Sequence, residues 1–264
     1  MFRVLQKQGL SLLVLFAVVA IALSGCSSGK SSPSAAGQFA GDSAGPTIPG
    51  GVPAGDGSGV GGASAAFGNM SNYKFSMTLA GGTWGSMLSA LGGAGATGGG
   101  AFTVSGTVVV KPEKASDVQM SGFHIIEVGG FQYMDMGLGS YVKTKASGTS
   151  MADGFSPQKI FSGFAGSSSS SGYNKVGSEN KNGVDADHFQ ASQTSLAQYG
   201  SMLGVPNATW TMDVWIAKNG GYPVSMAMLA KTSDNSVAYE VLFDITNVND
   251  PANTVTAPTN VMGA

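Results

Sequence analysis

The stretch "WTMDVWIAKNGGYPVSMAMLAK", residues 210 to 231, alternates large apolar side chains with smaller or polar ones on either side of a glycine turn. Trp210, Met212 and Val214 fall on one face of the first half, and Met226 and Met228 on one face of the second. A period of two is the signature of a half-buried strand. The intervening Lys218 to Pro223, "KNGGYP", contains Asn-Gly-Gly, which tolerates positive φ and reverses the chain. Thr209 to Lys218 and Tyr222 to Lys231 therefore read as an antiparallel hairpin.

The same pattern recurs outward from this hairpin. In "YKFSMTLA", Tyr73, Phe75, Met77 and Leu79 alternate with Lys74, Ser76, Thr78 and Ala80. In "FTVSGTVVVK", Phe102, Val104, Val108 and Val110 share a face. Further strands are expected at Asp117 to Glu127, Gly130 to Met136, Ser140 to Lys145, Tyr173 to Asn180, Ala186 to Ser192 and Val237 to Asn247, giving ten in all. Asn182-Gly183, in "KNGVDA", marks a second hairpin turn. Helical signals are few. Ser156-Pro157 offers an N-cap and a first-turn proline for "PQKIFSGFAG". Thr194 to Leu203 places Leu196, Tyr199 and Leu203 on one face, and Trp84 to Gly93 is a weaker third helix within a glycine-rich insertion.

Ten strands with two or three short helices cannot form a sheet covered on both faces. The expected fold class is α+β: a strongly curved antiparallel β-sheet, a half-barrel, with the helices on its concave face. The apolar positions that would line that side are Met77, Leu79, Val108, Val110, Met120, Met134, Trp210, Met212, Val214, Met226, Met228, Val241 and Phe243. The chain has 13 methionines, and methionine is the side chain that adapts most readily to varied apolar shapes. A cavity for an apolar ligand and a solid methionine-rich core both satisfy this pattern.

The N-terminus sets the compartment. Arg3 and Lys7 precede an uncharged apolar run, residues 10 to 23, with the layout of an export signal. At 14 residues the run is short for a spanning helix, which needs about 20. It ends in Leu23-Ser24-Gly25-Cys26, and Cys26 is the only cysteine of the chain. A thiol without a partner in an exported chain is not a disulfide half. The following segment to Ala66 is rich in Gly, Ser, Ala and Pro, a composition that buries too little to fold. As a coil of about 40 residues it reaches roughly 35 Å. The expected division is a signal peptide at 1–25, a tether at 26–66 and a β-rich domain at 67–264.

Several chemistries are set aside. Charged residues make up 11% of the chain, the net charge is −2 and no basic cluster exists, so nucleic acid is not an expected partner. "GAGATG", Gly93 to Gly98, has dinucleotide-binding spacing but precedes a strand, where the true fingerprint follows one and opens a helix. In "DADH", alternation puts Asp185 and Asp187 on one face and His188 on the other, a poor start for a metal site. His124, between Phe123 and Ile125, reads as a packed or edge histidine. Only two histidines exist, and neither serves a nucleophile-elbow serine. No enzyme activity, metal or cofactor is expected.

Three segments carry a family resemblance. "WTMDVWIAKNGGYPV" is similar to the strand, turn and proline-led return strand of the actinobacterial LppX/LprA/LprF/LprG lipoproteins. "GVDADHFQAS", with His188 and Phe189 after a glycine turn, and "FDITNVNDPANTVTAP", with Phe243 and Pro258, resemble the family's corresponding segments in the same order. Leu23 to Cys26 resembles the bacterial lipobox, which makes Cys26 a diacylglycerol-bearing first residue. The glycine-rich insertion 81–100 and the serine run 167–171 depart from the family's pattern. The resemblance implies a fold of the LolA lipoprotein-carrier type, a membrane partner through the lipid anchor, and a lipid or glycolipid ligand. It places the chain on the outer face of the cytoplasmic membrane, or at the outer membrane of a host with two. The alternative expectation is a non-catalytic structural or sensory module with a solid core, read by a protein partner.

Overall fold

The computed structural model describes residues 59–81, 101–120, 122–146, 156–165, 172–191, 196, 205 and 207–262. Eleven antiparallel strands form one curved, unclosed sheet. In chain order they are β1 (Asn72–Gly81), β2 (Phe102–Val109), β3 (Ala115–Met120), β4 (Phe123–Val128), β5 (Phe131–Asp135), β6 (Val142–Lys145), β7 (Tyr173–Lys181), β8 (Val184–Ala191), β9 (Thr209–Ala217), β10 (Pro223–Lys231) and β11 (Val237–Thr246). The spatial order is β6-β5-β4-β3-β2-β1-β11-β10-β9-β8-β7. Two meanders, β1 to β6 and β7 to β11, thus meet where β11 pairs with β1, and the first and last described strands lie at the centre.

The eleventh strand arises within Asp117 to Glu127, expected as one strand. Gly122, at φ 80°, turns the chain so that Met120 pairs with Phe123. The apolar phase shifts by one residue there, from Val118 and Met120 to Phe123 and Ile125, which is what a reversal requires to keep the same face inward. The two turns expected around β7 to β10 form as anticipated. Asn182 and Gly183 both take positive φ, 52° and 82°, as a two-residue hairpin of right-handed strands demands.

Among the described residues, two α-helices accompany the sheet. Helix α1 (Val60–Ala66) continues into a single 3-10 turn (Phe67–Asn69), and α2 (Pro157–Ala165) lies on the crossover from β6 to β7. Helix α2 opens at the proline the sequence marked. Helix α1 overlaps the end of the segment read as tether. Its composition, Val-Gly-Gly-Ala-Ser-Ala-Ala, resembles a linker because it packs with its backbone and small side chains: Val60, Ala63 and Ala66 are buried. The helices touch through Ser64 and Ser162, 2.5 Å apart, and Phe67 meets Phe161 at 6.3 Å between ring centroids. Ser162 Oγ donates to Gln158 O, so Ser64 donates to Ser162. The expected helices at 84–93 and 194–203 lie outside the described residues, apart from Leu196, which is fully buried.

The main core lies between one face of the sheet and α1, the 3-10 turn, Phe161 and Leu196. A second, smaller core sits on the opposite face of β4 and β5, where Ile126, Tyr133 and Tyr141 pack with Val128, Val255 and Val261. The tail after β11 crosses to that wing. Asn249 donates its backbone N–H to Asn72 O (2.9 Å), and its Oδ1 accepts from Ser71 N (2.7 Å). The buried Asn253 amide donates to Asn72 Oδ1 (2.7 Å) and Asn247 O (2.5 Å). The tail then runs parallel to Tyr141, pairing it with Val261.

Candidate functional site

The face that carries the main core is built by register. Residues directly opposite on neighbouring strands share a face. Met120, Val104, Met77, Phe243, Met226, Val214 and Phe189 form one such row across seven strands, from β3 through β8. Beside it runs Phe102, Leu79, Val241, Met228 and Met212. Trp210 lies one step further, its ring 5.6 Å from that of Tyr239. Helix α1 rests over β9 and β10, the strands that carry Met212, Met226 and Met228.

Of the thirteen positions singled out in the sequence, nine are buried: Met77, Leu79, Trp210, Met212, Val214, Met226, Met228, Val241 and Phe243. Val108, Val110 and Met120 are partly buried and pack against them. Met134 is brought to the same face through its pairing with Ile125, but it is half-buried and stands outside the core group. The burial of large, flexible side chains in contiguous rows gives a broad apolar surface. Each methionine withdrawn from water contributes about 1.5–3 kcal/mol.

Alternation alone did not reveal the covering residues. Val60, Ala63, Phe67 and Met70 recur at three- and four-residue spacing, the helical period, and all are buried. The signal was present but was masked by the surrounding glycines. Tyr222, in the β9–β10 turn, also escaped notice. It is 1% exposed, and among the described residues its hydroxyl has no hydrogen-bond partner. Burial pushes its phenol up to about 12, from 10.0. Burial likewise raises Tyr73.

Tyr222 yields a prediction with a sign. A buried polar group without a partner costs stability, so Tyr222→Phe is expected to raise the unfolding free energy by about 1 kcal/mol in urea titrations. The folded pKa lies above the unfolded one, so the contribution of the neutral phenol is complete below pH 10 and is lost as pH rises through about 12. The variant should lose less stability than the parent over that alkaline interval. A destabilised Tyr222→Phe would show that the hydroxyl is satisfied in solution.

The opposite face carries polar networks. Tyr141 donates to His124 Nδ1 (2.5 Å), and His124 Nε2 donates to Asp117 Oδ1 (2.7 Å), because a carboxylate only accepts. Burial, then Asp135 and Asp117, raise the Tyr141 pKa, and the Tyr141 backbone, bonded to Asn260 O and Met262 N, holds the tail. On the other wing, His188 stacks on Trp215 at 4.5 Å and bonds Asp213 at 2.8 Å, while Lys181 lies 4.0 Å over the same indole. Asp187 faces the other way, toward Lys175 and Ser178, each at 2.7 Å, and these contacts hold its carboxyl below the usual range despite partial burial. "DADH" is therefore divided between two faces, as alternation requires. Among the described residues, no group of three His, Cys, Asp or Glu side chains converges on a metal position. An open groove of about 380 Å³ on this side is lined by Lys74, Phe75, Ser76, Ser105, Gly106, Thr107, Asp117, Gln119 and Thr246, mostly polar residues.

No family model matches the sequence. No curated protein matches it either. Solved structures that resemble this chain include LppX and LprF lipoproteins and proteins of the LolA superfamily. The lipoprotein LppX of Mycobacterium tuberculosis is 13% identical with a TM-score of 0.42, over 72% of this chain and 93% of that one. LprF from Mycobacterium bovis is 11% identical with a TM-score of 0.36, over 74% and 93%. A LolA superfamily protein from Nitrosomonas europaea is 9% identical with a TM-score of 0.22, over 72% and 88%.

Proposed function

We propose that this chain is an exported, membrane-anchored lipoprotein that binds or transfers an amphiphilic lipid or acylated molecule between its apolar sheet face and the helices above it. The observation that carries this reading is the methionine-bearing surface itself: Met120, Met77 and Met226 lie in one register row across the centre of the sheet, and Met228 and Met212 in the row beside it. Methionine side chains repack around irregular apolar shapes at low cost. An acyl chain leaving water for such a surface gains about 25 cal/mol per Å² buried. In this reading the helices lie on the concave side, and the thirteen apolar positions from Met77 to Phe243 line the space that receives the ligand. No bond is made or broken. Cys26, acylated after removal of residues 1–25, holds the domain at the outer face of the cytoplasmic membrane, or at the outer membrane where a host has two.

A solid-core module read by a protein partner is favoured by a different fact: Met212, Val214, Met226 and Met228 are all at 0% exposure. One measurement separates the two. The chain from residue 26 onward, carrying Cys26→Ser and purified from cells, is expected to show a copurifying lipid in native mass spectrometry and to bind a fluorescent fatty acid. Protein of the bare mass that also leaves the probe unbound would overturn the carrier reading and leave the solid core.

A further inference from the structure

The β5–β6 hairpin ends in Asp135-Met136-Gly137-Leu138-Gly139-Ser140-Tyr141, and its tip is apolar and open. Leu138 is 74% exposed and Met136 51%. Val142, which follows on β6, is 43% exposed, and Met262, hydrogen-bonded through its backbone N–H to Tyr141 O at 2.8 Å, is 49% exposed. Isolated exposed leucines need no explanation; four large apolar side chains on one hairpin and the strand bonded to it do. The segment 136–142 carries no charged side chain.

Part of the backbone of this tip is bonded from within. Asp135 Oδ1 accepts from Leu138 N (2.8 Å) and Gly139 N (3.2 Å). Gly139 O accepts from the Asn260 amide (2.8 Å), and Tyr141 N donates to Asn260 O (3.0 Å). A loop entering hydrocarbon must leave no unpaired peptide group at its apex, because each costs several kcal/mol there. These bonds remove part of that cost, and a leucine and a methionine gain nothing by facing water. The chain also has a route to a bilayer: the apolar run 10–23 and Cys26 precede the folded body in the sequence.

We propose that this hairpin tip is a bilayer-contacting element that seats Leu138 and Met136 at the boundary between lipid headgroups and acyl chains while the domain is tethered to the same membrane. The proposal rests on the membrane anchorage of the proposed function and not on its ligand. Two apolar side chains supply weak, reversible contact, suited to orienting a body that is already anchored rather than to holding it.

The test uses the full chain, isolated from membranes and reconstituted into vesicles of phosphatidylglycerol and phosphatidylcholine. Leu138→Cys and Met136→Cys are each labelled with an environment-sensitive fluorophore. Val176→Cys, 53% exposed on the β7 edge, is the comparison, and the labelled parent gives the background. Nitroxide-bearing phospholipids are expected to quench both tip labels about twofold or more relative to Val176→Cys, with a blue shift of emission. Equal quenching at all three sites, in a chain that floats with the vesicles, would overturn this proposal alone. A chain that does not float would overturn the anchorage as well. A blue shift that grows with protein concentration and is insensitive to the nitroxide lipids would assign the tip to a second copy of the chain, and would also overturn it.

Discussion

Gly106→Val is expected to abolish the cooperative fold, or to lower its unfolding free energy by more than about 4 kcal/mol in urea titrations. Gly106 sits in β2 between Phe75 of β1 and Val118 of β3. A Cβ placed there would lie 2.1 Å from Asp117 O and 3.0 Å from Phe75 Cε1. The first contact is with backbone, so it cannot be relieved by a rotamer change; the β2–β3 ladder would have to part. Gly68→Ala is the control. Nothing lies within 4 Å of its added Cβ and its φ is not positive, so a change of under about 1 kcal/mol, in the stabilising direction, is expected. A Gly106→Val chain within 1 kcal/mol of the parent would show that the strand pair yields far more easily than a packed sheet should.

The second large effect is expected from a chain ending at Val248. Removing the tail takes Val255 and Val261 from the second core, which exposes Ile126, Tyr133 and Tyr141. It also removes Asn249 from Ser71 N and the Asn253 amide from Asn72 and Asn247. Two partly buried valines at roughly 1 kcal/mol each, with hydrogen bonds at about 1 kcal/mol each, sum to a loss on the order of 5 kcal/mol. Urea titrations of the shortened chain would read this as a lower midpoint. Hydrogen exchange should locate the loss in β4, β5 and the start of β1, and leave β9 and β10 protected. Uniform deprotection would mean that the two cores unfold as one unit, and an unchanged midpoint would mean that the tail only lies on the surface.

The strands were readable because a side chain's face is fixed by position parity. Tyr73 to Leu79, Trp210 to Val214 and Met226 to Met228 need no tertiary knowledge to be placed on one side of a sheet. The turn at Gly122 was less legible, since its two residues shift the apolar phase by one, and a single glycine within an apolar run resembles an interruption rather than a reversal. Helix α1 was missed because its helical spacing, Val60 to Ala63 to Ala66 and Phe67, is written in residues whose composition matches a flexible tether. Composition measures how much a segment can bury on average. It does not register that alanines and a valine at the right period pack closely on a preformed apolar surface. Tyr222 was passed over as a turn residue, because burial of a turn depends on what covers it.

By itself the sequence determined the antiparallel sheet, its apolar face, the Asn-Gly and Asn-Gly-Gly reversals and the helix opening at Pro157. All of these follow from interactions within about ten residues. Only the tertiary structure decided that β11 returns to pair with β1, so that the ends of the domain form the middle of the sheet. It alone decided that the tail builds a second core on the other face, that Asp117, His124 and Tyr141 meet, and that Leu138 stands in the open. These depend on contacts between residues far apart in the chain. Parity says which face a residue takes, but no local rule says which strand, or what solvent, will lie against it.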